Sequence, residues 1–105
     1  MGHAIRVEIV RWVDDRFPGI VECRIMDADG AEHLFIEKLP IVTSENFDRN
    51  IAYPRPGMIA CRIVEYLCDP GRRARVVVDM EEPWHVESTA GLTRFILHSE
   101  QLAAL

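Results

Sequence analysis

Apolar and polar positions alternate with a period of two through most of the chain, and no stretch carries an amphipathic helical repeat of useful length. In residues 5–12, Ile5, Val7 and Ile9 alternate with Arg6 and Glu8, which predicts a strand with one buried face; Val10 and Trp12 add apolar groups to the other face near its end. Asp14-Asp15-Arg16-Phe17-Pro18-Gly19 is a polar turn punctuated by proline and glycine. Residues 20–26 resume the alternation, with Val21, Cys23 and Ile25 on one face and Glu22 and Arg24 on the other. Asp27-Ala28-Asp29-Gly30 reads as a hairpin turn, because glycine supplies the positive φ that a tight reversal demands. The return strand, residues 31–39, is expected to face inward with Leu34 and Ile36 and to leave Phe35 over an edge or a neighbouring loop.

The second half repeats the plan. Tyr53-Pro54-Arg55-Pro56-Gly57 predicts a turn in which Gly57 takes positive φ. It leads into residues 58–67, with Ile59, Cys61, Ile63 and Leu67 on one face and Ala60, Val64 and Tyr66 on the other, the two-sided pattern of a central strand. Asp69-Pro70-Gly71 turns the chain into residues 75–80, again apolar on both faces through Val76, Val77 and Val78. Residues 92–98 predict a sixth strand and residues 99–102 a terminal helical turn. Two connections are long, 40–57 and 81–91; the first holds at most one helical turn near Thr43 or Ser44, either of which can cap free amides, with Glu45 at its positive end.

Six short antiparallel strands, two of them apolar on both faces, are too two-sided for an open sheet facing water. Closure removes the exposed edges. The expected fold is all-β, a small six-stranded antiparallel β-barrel built from two hairpins plus flanking strands, with 1–105 as a single domain. A chain of 105 residues, 49% hydrophobic and 28% charged, belongs with folded globular domains of this size, which bury roughly two-thirds of their unfolded surface.

Charge narrows the partners. A net charge of -5 disfavours nucleic acid and anionic membranes, which reward clustered cations. The one dense basic cluster, Arg72, Arg73 and Arg75, is flanked by Asp69, Asp79, Glu81 and Glu82. Cys23, Cys61 and Cys68 are an odd count without framework spacing and read as reduced thiols; with no apolar signal region and no run long enough for a bilayer, they point to the cytoplasm. Lys38 is the only lysine among many arginines, the bias of a GC-rich genome, and suggests a bacterial source.

Candidate chemistry is sparse. His3, His33, His85, His98 and the cysteines show no CxxC or HxxxH spacing, so no metal and no cofactor is expected. His85-Val86-Glu87 matches half of the zinc deaminase signature, but the Pro-Cys-x-x-Cys half is missing. Cys61 lies in a strand expected to be buried, and Cys68 sits at a strand end beside the negative charge of Asp69, so neither reads as a reactive thiol. Ser88 and Thr89 near His85 and Glu87 collect a hydroxyl, a base and a carboxylate as many polar loops do, without the geometry of a triad. Gly30, Gly57, Gly71 and Gly91 stand singly, so there is no phosphate-cradling loop.

The long connections remain, and Tyr53, Arg55, Trp84, His85 and Glu87 are their candidate binding residues. A loop of this length needs an anchor, and Trp84 as a plug over one barrel end is the expected state; an exposed Trp84 beside Tyr53 and Arg55 would make both connections one recognition face. The leading expectation is a non-catalytic interaction module contacting another protein through residues 40–57 and 81–91. The alternative is a small-molecule binder or hydrolytic enzyme using His85 and Glu87 beside Trp84, which requires a deep polar pocket around them. A third reading is a small acidic inhibitor or immunity-type protein, whose binding to a basic partner would be salt-sensitive.

Overall fold

A computed structural model describes residues 2–105. Its elements are β1 (His3–Asp14), β2 (Ile20–Met26), β3 (Glu32–Lys38), a one-turn helix α1 (Leu39–Val42), β4 (Arg55–Leu67), β5 (Arg75–Asp79), β6 (Arg94–His98), a 3₁₀ turn (Ser99–Gln101) and β7 (Leu102–Ala104). The six longer strands pair antiparallel in the order β3-β2-β1-β4-β5-β6 and curl into a half-barrel, while β7 pairs with the start of β1. Single bonds tie the two ends of the sheet: the Ala28 amide donates to the Ile96 carbonyl (2.8 Å) and the Thr89 amide to the Leu34 carbonyl (2.8 Å). Among the described residues no helix is long and apolar enough to cross a membrane.

The alternation read from the sequence sets the inner face. Ile5, Val7 and Ile9 of β1 meet Val21, Cys23 and Ile25 of β2, Ile59 and Cys61 of β4, Val76 and Val78 of β5, and Phe95 and Leu97 of β6 in one buried cluster. The Asp27 turn forms as expected: the Asp27 carboxylate accepts the Asp29 and Ala31 amides (2.9 Å each), and Gly30 takes φ 84°.

Four expectations are corrected. On β3 the inward residue is Phe35, fully buried, while Ile36 is 41% exposed. Residues directly opposite in an antiparallel ladder share a face, and Cys23 pairs with Phe35 and Ile25 with His33, so the inward set of β2 dictates that of β3. Phe35 then packs edge-on against Phe95, centroids 5.7 Å apart.

The turn before β4 ends at Pro54, and Gly57 has no positive φ. Arg55, Pro56 and Gly57 already pair with Ile9, Glu8 and Val7. Glycine is needed there for close approach: a Cβ at Gly57 would lie 2.8 Å from the Val42 carbonyl oxygen and 3.0 Å from Ile9 Cδ1. The helical turn of the first connection is α1, which precedes Thr43 and Ser44; Pro40 suits its first turn, and Thr43 follows it, accepting the Glu45 amide on Oγ1 (3.0 Å). After the 3₁₀ turn the chain adds β7, a strand of three residues that the sequence pattern does not reveal.

β4 changes partners midway. Its residues 55–61 pair with β1, and β5 pairs with it only between Arg62 and Leu67, across a bulge between Ile63 and Glu65. Residues of both long connections line one groove with this part of β4.

Candidate functional site: a groove between the two long connections

The first connection is held by inserted side chains. Val42 and Phe47 are buried, and the Arg55 guanidinium lies 4.6 Å over the Phe47 ring while pairing with Glu45 at 3.6 Å. The Tyr53 hydroxyl donates to the Asp48 carbonyl (2.9 Å).

The second connection is held largely by its backbone. The buried Asp79 carboxylate accepts the Glu81 amide (2.8 Å) and the Arg94 guanidinium (3.1 Å), with Arg62 at 3.8 Å. The Glu81 amide does most to hold the Asp79 carboxyl below its usual range; burial opposes this, and Arg94 and Arg62 reinforce it. The Val86 amide donates to the Met80 carbonyl (2.8 Å), the Ser88 amide donates to the Leu92 carbonyl (2.8 Å), and Ser88 Oγ accepts the Ala90 (3.3 Å) and Leu92 (3.1 Å) amides. Val86 is 1% exposed and is the plug of this connection, whereas Trp84 is 60% exposed. The expected Trp84 plug is therefore corrected, since a valine suffices to anchor the loop.

Trp84 stands at an open groove of about 620 Å³. It is lined by Pro40, Ile41, Thr43 and Glu45 of the first connection, by Pro56, Met58 and Ala60 of β4, and by Arg6 and Leu105. Met58, Trp84 and Leu105 are all exposed, so the groove presents a largely apolar surface to solvent.

Of the five candidate binding residues, only Trp84 lines this groove. Tyr53 belongs to a separate cavity of about 370 Å³ with Trp12, Asp14, Asp15 and Arg49. Arg55 is taken up by Phe47 and Glu45. His85 and Glu87 approach to 3.9 Å, both side chains are largely exposed, and neither lines the groove or the Tyr53 cavity. His85 adopts φ 51°, the left-handed region that non-glycine residues seldom enter. Ile41, Met58 and Leu105 are not candidates in the sequence; Pro56 reads there as part of a turn, and only its pairing with Glu8 places it in a strand, where proline marks an edge.

Several titratable groups elsewhere are tied into packing or ion pairs. Burial, with Glu37 and Glu22 adding to it, pushes the Cys23 thiol up to about 12, and burial pushes Cys61 up to about 11, so neither is a ready thiolate. At Asp27 burial works against the charged form, but hydrogen bonds from His33 and from the Ala31 and Asp29 amides outweigh it and hold the carboxyl low. His33 Nε2 lies 2.8 Å from Asp27 Oδ2, and its ring packs 4.8 Å from Phe95 across the end of the sheet. Arg73 pairs with Glu100 and Arg75 with Asp69, which disperses the basic cluster into ion pairs. Among the described residues no group of three or more His, Cys, Asp or Glu side chains is arranged to hold a metal ion.

The fold and groove define a small all-β half-barrel with an open apolar surface between its two long connections. No family model, no curated protein and no solved structure matches the chain, so its function has to be read from geometry alone.

Proposed function

We propose that this chain is a non-catalytic binding module that contacts another protein through residues 40–57 and 81–91. The observation that carries this reading is Trp84, a large aromatic 60% exposed on a groove that the first connection also lines. Tryptophan buries much area for little side-chain entropy, and aromatic anchors dominate protein contact energies. The enzyme reading has less support: His85 and Glu87 form an open pair in solvent, with no wall to hold a substrate against them. Exposed carboxylates on the second connection favour a basic partner, as for an acidic inhibitor or immunity-type protein. The free thiols and arginine bias support a bacterial cytoplasm as its setting.

The test is capture. Wild-type protein and Trp84→Ala, both immobilised, are exposed to the source lysate. A protein retained by wild type and weakened about thirtyfold by the substitution, the loss of a contact hot spot, supports the module. Equal capture by both proteins, with melting unchanged, removes Trp84 from the contact.

A further inference from the structure

The groove has an unused backbone edge. Pro56 pairs with Glu8 of β1 but has no amide hydrogen to give it. In an antiparallel ladder, pairs that exchange both backbone bonds alternate with pairs that exchange none, and a strand proline belongs to the second kind. By that alternation the amides of Met58 and Ala60, and the carbonyls of Pro56, Met58 and Ala60, point away from β1. β5 does not cover them, because its pairing with β4 begins at Arg62. Among the described residues no other backbone bond reaches residues 55–61, and the groove lies alongside. The open edge, residues 56–60, is roughly 17 Å long at about 3.3 Å per residue.

Charge indicates what fits. Glu81 and Glu82 lie just past β5, after Met80, and precede Trp84 on the second connection; both are exposed and make no ion pair among the described residues, while Glu87 lies 3.9 Å from His85. Glu45, which also lines the groove, is shared with Arg55. Arg6 of β1, the register partner of Met58, also lines the groove and makes no ion pair among the described residues; it stands one strand in from this edge.

We propose that the open edge of β4 accepts a basic, extended segment of a partner protein as an added strand. The segment's backbone bonds to Met58 and Ala60, and its lysine or arginine side chains lie against Trp84, Glu81 and Glu82. Sheet addition of this kind takes affinity from main-chain bonds and specificity from flanking side chains, and a cation over an indole face is favourable. The inference rests on the binding-module reading and names the segment recognised.

The test uses capped synthetic peptides of alternating lysine and valine, about six residues long to match the edge, with amide NMR of the whole chain. The expected result is movement of the Met58 and Ala60 amides, with their hydrogen exchange slowed about tenfold at saturation. The effect should weaken with salt and be absent for the same peptide with glutamate in place of lysine. Glu81→Gln with Glu82→Gln, both on an exposed loop, should weaken binding about fivefold. The proposal is overturned if those two amides stay still, or if a peptide N-methylated at alternate amides moves them equally. Should the Trp84 indole respond while the two amides do not, the added strand fails and the module reading stands. Should neither respond, the added strand fails and lysate capture alone decides the module.

Discussion

The two long connections solve the same problem by different means. Both must span one end of a sheet without regular structure, and both are anchored by small portions of their length. Residues 40–54 insert Val42 and Phe47, cover the ring with Arg55, and tie Tyr53 back to Asp48. Residues 81–91 insert Val86 and Ser88 and otherwise bond backbone to backbone. The first connection spends its aromatic side chains on its own packing, whereas the second leaves Trp84 in solvent. An anchor need only be apolar and correctly placed, so the largest apolar residue of a loop is not thereby its plug.

The largest effect is expected in the first connection. Phe47→Ala removes a buried ring and the surface on which Arg55 lies, and Arg55 Nε is already buried without a hydrogen-bond partner. A loss of about 3 to 4 kcal/mol is expected by urea denaturation. A loss under about 1 kcal/mol would mean that the connection is not anchored there. Val86→Ala should cost about 2 kcal/mol, from two methyl groups and the space left behind. Hydrogen exchange should rise across residues 81–91 and stay unchanged in residues 40–54; exchange rising equally in both would erase the distinction between them.

Acid should loosen the second connection at its root. Asp79 has its folded pKa depressed, so its contribution is complete above the unfolded carboxyl value near ~4 and is lost as pH falls through the lower folded value. Asp79→Asn should therefore flatten the acid limb of stability below that pH. An unchanged limb would assign the acid sensitivity elsewhere, with Asp27, also depressed, the next carboxyl to test.

Strand positions were legible because one buried face imposes a strict period of two, and β2 falls on the residues the alternation marks. The face of β3 was misread because Leu34 and Ile36 outnumber Phe35, although hairpin register decides the matter: Cys23 and Ile25 point inward, so their partners Phe35 and His33 must. Pro56 and Gly57 imitate a turn, and only pairing with β1 shows that one marks an open edge and the other admits Val42. β7, at three residues, is too short for alternation to register; it pairs with His3, Ala4 and Ile5, the part of β1 that β2, pairing only from Glu8, leaves free. The groove was half legible. Trp84 was visible as an isolated aromatic, but Ile41, Met58 and Leu105 come from three distant stretches that tertiary structure alone assembles.

The smallest expected effect is the most informative. Trp84→Ala should change stability by less than about 0.5 kcal/mol, since an exposed side chain away from caps and packed anchors contributes little to folding. A buried plug of the same residue would cost about 3 to 5 kcal/mol, so a single melting curve separates the two states. A large loss would show that in solution Trp84, rather than Val86, plugs the loop, and the groove would lose its aromatic wall. A negligible loss leaves tryptophan where folding does not require it, on the connection that also carries Glu81 and Glu82. With Val86→Ala destabilising and Trp84→Ala silent, the side chain that holds the loop and the one that faces outward are two residues apart, and substitutions at position 84 can then report on binding without the confusion of unfolding.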